Sequence, residues 1–371
     1  MISKLSLKGF KGFEQLDIPS LSRITLLGGR NNVGKTSILE ALFMFHDRLN
    51  PQMILRQFAW RGVGSIAFDP DSMWAPVFYN YDIDKKIEIS ATVNGSEEKM
   101  TLKFNPSYIP GTIPAKNVQP GFRPTQIKTD QKPEPSFSLD IIYDSKKMKN
   151  QTAHLLMGID GFGIRVDHAN NERRQAAFLG ARVAMNPTED AQKFGQLDVL
   201  GKQDEIVKFL KNIEPKLKSL SSVAMGDSSL IHGDVGLKRK IPIAYMGDGV
   251  SRLLSIILAI ATTKNGIVMI DECENGIHHS VMPKIWEAIA QAAREYDCQV
   301  ICTTHSYECL EAAYEGLSGE LASDFSYIRI DRTENKTVAK CFDHDMLKVA
   351  IDTNMEAVSY THLTLPTNRE V

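Results

Sequence analysis

The chain has 371 residues, 43% of them hydrophobic and 24% charged, with a formal net charge of −2. That composition is ordinary for a globular protein, and the length suits one large α/β domain with insertions, or two domains. The near-neutral balance argues against a strongly basic, dedicated nucleic-acid binder and leaves room only for a local basic patch.

The five cysteines, Cys273, Cys298, Cys302, Cys309 and Cys341, show no CxxC pairing. The N-terminus alternates polar and apolar residues and lacks the apolar run of a signal peptide, so a reducing, cytoplasmic setting is expected. The most apolar segment, Leu253 to Ala261, is about half the length of a membrane-spanning helix, and no membrane association is expected.

In chain order, Ile2, Leu5 and Leu7 predict a strand with one apolar face, broken by Gly9 and Gly12. A second short run starts at Ile18. The apolar run Ile24 to Leu27 then enters Gly29-x-x-x-x-Gly34-Lys35-Thr36, the P-loop pattern, and amphipathic sequence leaves it. The backbone of Gly29, Arg30, Asn31, Asn32, Val33, Gly34, Lys35, Thr36 and Ser37 is expected to converge on phosphate oxygens. Lys35 would reach the β- and γ-phosphates, Thr36 would hold Mg²⁺, and a helix from Lys35 to Arg48 would turn its positive end on the same anion. Ile38, Leu39, Leu42, Phe43 and Phe45 form its buried stripe.

Residues 49–86 are aromatic-rich and broken by Gly and Pro. Ile87 to Val93 and Met100 to Phe104 flank Asn94-Gly95, the strongest short hairpin signal. From Asn105 to Pro135 nine prolines or glycines predict a long loop. Phe137 to Tyr143 and Ala153 to Met157 read as strands, Thr188 as an N-cap, and Ile206 to Ile213 as a helix ended by Pro215. Lys238 to Ala244 predicts a strand leading into Met246-Gly-Asp-Gly-Val-Ser, after which an apolar helix runs from Leu253 to Thr263. The last third alternates strand and helix: Gly266–Ile270, His278–Tyr296, Gln299–Thr303 and Ser306–Tyr314. That order implies a parallel sheet with right-handed crossovers. Phe325 to Ile330 and Thr337 to Phe342 close as a strand pair.

Three further constellations carry chemistry. Ile267-Val-Met-Ile-Asp271-Glu272 places two acids at the carboxyl end of a buried parallel strand, where ligands sit in open α/β sheets. Asp271 would hold Mg²⁺ through its water shell and Glu272 would orient and deprotonate the attacking water. Val300 to Thr304 delivers His305 to the same edge, within reach of a γ-phosphate. The turn Gly247-Asp248-Gly249 opens a helix and makes a second anion-binding N-terminus. One P-loop already accounts for one nucleotide, so this turn points to a homodimer that closes each site in trans. Cys273 with His278 and His279 could suggest a metal, but the cysteine directly follows the acids and no metal is expected there. Lys146, Lys147 and Lys149, Arg173 with Arg174, and Lys238-Arg239-Lys240 could touch nucleic-acid phosphates, although such runs are more often solvated loops.

Together these motifs resemble the ATP-binding-cassette ATPases, in the RecF and SMC-like branch, and more closely the standalone AAA family ATPases related to the overcoming-lysogenization-defect proteins. Leu5-x-Leu7-x-Gly9-Phe10-Lys11, Gly247-Asp-Gly-Val-Ser-Arg-Leu-Leu, Asp271-Glu-Cys-Glu-Asn-Gly-Ile-His and Thr303-Thr-His-Ser-Tyr-Glu-Cys-Leu carry the resemblance over about 1–50 and 180–356. It implies an α/β P-loop NTPase head with an N-terminal antiparallel β portion, a mainly parallel core sheet flanked by helices, and a mixed α+β insertion. It also implies ATP and Mg²⁺, a Walker A at Gly29–Ser37, a signature loop at Met246–Val250, a Walker B at Asp271 with Glu272, and a switch histidine at His305. The serine typical of the signature loop reads Gly247 here, and Gln52 and Gln57 are the two candidates for the Q-loop glutamine. The long SMC coiled coil is absent, and no acidic nuclease-like cluster follows His305.

The expected division is 1–104 and 241–356 as the two parts of the head, 105–240 as the insertion, and 357–371 as a tail resembling translated adapter sequence. The implied activity is ATP hydrolysis by a dimeric switch that controls a separate effector protein, with phage defence as one setting. A RecF-like ATPase that binds DNA directly is the alternative. A monomeric GTPase or nucleotide kinase fits less well, because Glu272 follows Asp271 and the chain carries the Gly-Asp-Gly turn.

Overall fold

The computed structural model describes the chain except for residues 49, 51, 64–66, 68, 109–135, 159–160, 167–173, 182–185, 227, 334–335 and 353–371. In chain order its elements are β1 (Ile2–Phe10), β2 (Phe13–Ile18), β3 (Ile24–Gly28), α1 (Lys35–His46), α2 (Gln52–Trp60), α3 (Pro70–Met73), β4 (Ile87–Val93), β5 (Ser96–Tyr108), β6 (Ser136–Asp144), β7 (Gln151–Gly158), β8 (Gly161–Val166) and β9 (Ala176–Leu179). There follow α4 (Pro187–Val199), α5 (Gln203–Leu210), β10 (Ser219–Met225), β11 (Ser228–Asp234), β12 (Ile241–Pro242), α6 (Asp248–Thr262), β13 (Ile267–Ile270), α7 (Met282–Glu295), β14 (Gln299–Thr303), α8 (Tyr307–Gly316), β15 (Phe325–Arg332), β16 (Thr337–Phe342) and α9 (His344–Asp352).

The residues fall into two units, one made of Met1, Ser20–Leu39 and Ala177–Val371, the other of Ile2–Pro19 and Glu40–Ala176. The first is built on a six-stranded sheet in the order β16-β15-β3-β14-β13-β9. Strands β15, β3, β14 and β13 run parallel, and β16 pairs antiparallel at one end. Every residue of β3, β13 and β14 is buried, the signature of strands covered on both faces. Helix α6 is buried along nearly its whole length and packs with α4, α5 and α7 around Leu253, Ile257, Phe194, Phe209 and Trp286, and α8 packs on α7. A small antiparallel sheet, β10-β11-β12, belongs to the same unit.

The second unit is a seven-stranded sheet in the order β2-β1-β4-β5-β6-β7-β8, antiparallel at every pairing. Strict alternation in β4 buries Ile87, Ile89, Ala91 and Val93. The Asn94-Gly95 turn joining β4 to β5 has φ of 47° and 78°, the two left-handed residues of a type I′ turn, whose twist matches that of the strands. A buried ion network sits beside β1 and α1. Glu40 is fully buried and accepts from Lys11 Nζ at 2.5 Å and from Arg61 Nε and Nη2 at 2.8 Å each. Burial pushes the Glu40 carboxyl up, but the bonds and charges of Arg61 and Lys11 outweigh it and hold the group below its usual range. Burial also brings the Lys11 ammonium down to about 8, with Glu40 opposing.

Several expectations shift in the structure. The residues expected to form one insertion at 105–240 divide between the units, because β6 pairs with β5 and extends the N-terminal sheet through β7 and β8. The first helix ends at His46, before Arg48. Asn186, and not Thr188, caps α4: its side chain accepts from the N–H groups of Thr188 and Glu189, and Pro187 takes the first helical position, where no N–H is needed. The strand expected over Lys238–Ala244 shrinks to Ile241–Pro242, since Pro242 cannot donate to a ladder and a 3₁₀ turn follows over Ile243–Tyr245. The helix expected from His278 starts as a 3₁₀ turn over His279–Val281, and α7 opens at Met282 with Pro283 behind it. The loop over Asn105–Pro135 loses its first residues to β5, which runs to Tyr108, and the rest, with the tail from 357, lies outside the described residues. Arg174 is committed to Glu98 at 2.6–2.7 Å and is not a solvated cation, while Arg173 lies outside the described residues. No described helix is long and apolar enough to cross a membrane.

Replacing Glu40 with Gln should leave Lys11 buried without its counter-charge. We expect a loss of about 3–5 kcal/mol, the range for breaking one partner of a buried pair, read by denaturant unfolding. A change below 1 kcal/mol would show that the network does not stabilise this unit.

Candidate nucleotide site

Register places the site. Ile270 pairs with Cys302 and Cys302 with Leu26, so the carboxyl ends of β13, β14 and β3 finish side by side on one edge. Backbone bonds pin the three chain exits there: Thr304 N–H donates to Leu27 O at 3.0 Å, and Cys273 N–H to Thr303 O at 3.0 Å. The P-loop, the two acids and His305 are therefore delivered to one place by three different strands.

The loop after β3 is shaped by three left-handed residues, Gly29 (φ 128°), Asn32 (63°) and Gly34 (98°). At Gly29 a side chain is excluded outright, since a Cβ would stand 2.3 Å from Ile330 O. Arg30, Asn31 and Asn32 are exposed, while Val33, Lys35 and Ser37 are buried. Lys35 Nζ donates to Gly29 O at 2.8 Å and Arg30 O at 3.1 Å, which places the ammonium inside the loop. Burial lowers its pKa to about 8, against the pull of Glu274, Asp271 and Glu272. A partly desolvated cation held by loop carbonyls at a helix N-terminus is suited to a polyphosphate.

Across the edge, Thr36 Oγ1 donates to the Asp271 carboxylate at 3.0 and 3.1 Å, and Thr303 Oγ1 donates to it at 2.7 Å. Thr303 Oγ1 also accepts from the Glu272 N–H at 2.8 Å. Glu272 has φ of 50°, a left-handed conformation that costs a non-glycine residue about 1–3 kcal/mol and recurs at functional sites. Its carboxylate accepts from Asn275 Nδ2 at 2.9 Å. His305 stands between the two sides, with Nδ1 at 3.2 Å from Lys35 Nζ and Nε2 at 3.6 Å from Glu272 Oε1. An ammonium can only donate, so Nδ1 is the accepting nitrogen and the proton lies on Nε2. Burial, with the charge of Lys35 second, lowers the imidazole pKa, so the ring is neutral near pH 7. Its backbone N–H donates to Glu274 Oε1 at 2.7 Å.

The structure thus brings together Lys35, Thr36, Asp271, Glu272 and His305. Sequence reasoning assigned no role to Thr303, Glu274 or Asn275, although all three stand inside the quoted motifs. The only sequence signal was their spacing from Asp271 and His305. The Gly247-Asp248-Gly249 turn is placed differently: Gly247 and Asp248 are exposed, and the turn's neighbours are Gly276 and Val281. Gly247 has φ of 103° and stands at the N-cap of α6, a conformation closed to serine, which accounts for the glycine at that position. Of the two Q-loop candidates, Gln57 is buried on α2 in the other unit, and the Gln52 side chain lies outside the described residues.

The chain is similar over 330 residues, at 22% identity, to an "ATP/GTP phosphatase" of Helicobacter pylori, a match covering 84% of this chain and 87% of that protein. It is 24% identical over 245 residues to an uncharacterized protein of Methanocaldococcus jannaschii, covering 62% of this chain and 95% of the relative. In fold it is similar to the SmcHead solved in complex with the C-winged helix domain of ScpA, with a TM-score of 0.50 at 14% identity, covering 92% of this chain and 98% of that one. Residues 24–311 match the family described as "AAA domain, putative AbiEii toxin, Type IV TA system", and the chain belongs to that family, with the fold of an ATPase of the AAA and SMC-head type.

Proposed function

We propose that the chain is a nucleotide-gated switch in which two copies pair head to tail around two ATP molecules. The observation that carries this reading is the linked set of contacts on one sheet edge, from Thr36 through Asp271 and Thr303 to Glu272, and from Lys35 to His305. ATP would lay its β- and γ-phosphates in the loop of Gly29–Ser37, against Lys35. Thr36 and Asp271 are a fitting pair for Mg²⁺: their oxygens stand 3.0 Å apart, the spacing of neighbouring ligands in an octahedron with bonds of about 2.1 Å. The bound ion would supply charge neutralisation at the β- and γ-phosphates. Glu272 would orient the attacking water and take its proton, while neutral His305 would donate from Nε2 toward the γ-phosphate. Catalysis of this kind is mostly positioning and electrostatics. The phosphatase name of the Helicobacter pylori relative supports hydrolysis of nucleoside triphosphates.

Pairing is supported by the exposed turn at Gly247–Gly249, whose N–H groups open the fifteen-residue helix α6. The P-loop takes one nucleotide in its own chain, which leaves this turn for the γ-phosphate held by a second copy. ATP binding would close the pair and hydrolysis would open it. The output is control of a separate effector, in phage defence or a related role. Two likenesses support a protein partner: the matching family is described by a toxin–antitoxin system, and the SmcHead was solved with ScpA. A second reading, direct DNA binding, is favoured by Lys216, Lys218, Lys238, Arg239 and Lys240, exposed around the β10–β12 sheet and forming no ion pair among the described residues. Stimulation of hydrolysis by DNA with a steep salt dependence would favour it, and no binding at low salt would eliminate it.

Glu272→Gln should keep ATP binding, slow hydrolysis by about 10²–10⁴-fold and accumulate an ATP-dependent dimer on a sizing column. Normal turnover in that variant would remove Glu272 from the mechanism. Lys35→Ala should abolish nucleotide binding in an equilibrium titration, and unchanged affinity would refute the P-loop assignment. The Lys35 ammonium has a pKa near 8 in the free chain, and a triphosphate would raise it, so binding above pH 8 must take up a proton. Affinity should therefore fall as pH rises through 8, by up to about tenfold per pH unit. Calorimetry in buffers of different ionisation enthalpy should show proton uptake, and a flat pH profile with none would contradict this role for Lys35.

A further inference from the structure

Behind the acids, beside Glu274, lie two thiols that the nucleotide chemistry does not use. Cys273 Sγ and Cys309 Sγ are 3.6 Å apart, and Cys273 Sγ is 3.7 Å from Glu274 Oε2. The two thiols and the carboxylate offer ligand atoms within 4.8 Å of one another, and both cysteines are buried. All the cysteines are free thiols. Zinc bonds of about 2.3 Å to sulfur and 2.0 Å to oxygen at tetrahedral angles put two sulfurs about 3.8 Å apart, and sulfur and oxygen about 3.5 Å apart. The observed separations match both. Cys302, on β14, interacts with the Cys273 thiol. His278 and His279, by contrast, stack on each other with ring centroids 4.2 Å apart and are not part of the cluster.

A second observation points the same way. Arg252 of α6 is only 7% exposed, and its Nε and Nη2 have no hydrogen-bond partner. The charged groups and thiols it faces are Cys273, Cys302, Glu274 and Asp190. An unsatisfied buried guanidinium is costly unless a negative charge compensates it. Two thiolates and a carboxylate around a divalent ion leave one net negative charge, which Arg252 would balance.

We propose that Cys273, Cys309 and Glu274 form a binding site for a soft divalent cation of the zinc type, with Arg252 as its buried counter-charge. Zinc accepts thiolate and carboxylate ligands together, whereas Mg²⁺ takes the all-oxygen pair at Thr36 and Asp271. On binding, two sulfur–zinc bonds and one oxygen–zinc bond form, and each thiol releases its proton to the buffer. The ion joins the turn after β13 to α8. It also fixes Glu274, whose other oxygen holds the His305 N–H at 2.7 Å. The site is thus a brace for the histidine and stands independently of how the nucleotide is used.

The test uses the full chain, reduced, stripped with a chelator and titrated with Co²⁺. Tetrahedral cobalt bound to sulfur gives visible d–d bands and a thiolate-to-cobalt charge-transfer band, which should saturate near one equivalent and bleach on adding Zn²⁺. Cobalt on the oxygens of Thr36 and Asp271 gives no such charge transfer, so the two sites are separated spectroscopically. Cys309→Ser should lose the band and Cys341→Ser should keep it. Should Cys309→Ser fail to fold, alkylation of the wild-type chain serves: Zn²⁺ should slow labelling of Cys273 and Cys309 at least tenfold while leaving Cys341 unchanged. No charge-transfer band in the wild-type chain, a band that survives Cys309→Ser, or equal labelling with and without zinc would each overturn the site.

Discussion

The carboxylate of Asp271 is the point on which the site depends. It is nearly buried at the end of β13 and receives the hydroxyl of Thr303 from the adjacent β14 and that of Thr36 from the loop and helix after β3, one strand further on. Those bonds are available only because β3, β14 and β13 run parallel and in register, with every residue of the three strands buried. A shift of one residue in β14 would turn Thr303 to the opposite face and remove both of its bonds, to Asp271 and to the Glu272 N–H. The apolar runs that make these strands are thus also what aligns the polar groups at their ends.

Two kinds of stress accumulate at the same edge. Glu272 is held in a left-handed conformation, and Lys35 is an ammonium whose burial is only partly offset by three carboxylates. Neither is favourable locally. Both are stabilised by neighbours that are themselves fixed by the sheet, through the Thr303 hydroxyl for Glu272 and the loop carbonyls for Lys35. A polyphosphate would relieve the second, because it supplies the negative charge that the buried lysine lacks. Glu274 links this polar layer to the thiols beneath, one oxygen toward His305 and the other toward Cys273.

The antiparallel unit follows different physics. Strand β4 alternates buried and half-exposed residues, and the fully buried Glu40 is neutralised by two cations from separate segments, Lys11 in the first turn and Arg61 after α2. The polar network of Glu98 and Arg174 is assembled in the same way, from residues 76 positions apart. Such pairs leave no local pattern in a sequence.

Local signals were enough for the P-loop and its helix, the β4–β5 hairpin, the strands ending at Ile270 and Thr303, and the closing pair β15–β16, because each rests on periodicity, turn chemistry or a capping residue within a few positions. The same signals placed Asp271, Glu272 and His305 at strand ends. They could not place Asn186 as the cap of α4, nor shorten β12, because proline's effect depends on where the neighbouring groups find partners. They could not assign β6–β8 to the N-terminal sheet, since strand pairing is a long-range choice made by burial. Nor could they associate Cys273 with Cys309, 36 residues away, or Arg252 with Cys273. Which residues carry charge and sulfur was legible in the chain; which of them share a buried volume was decided only when the parallel sheet brought its strand ends and helices together.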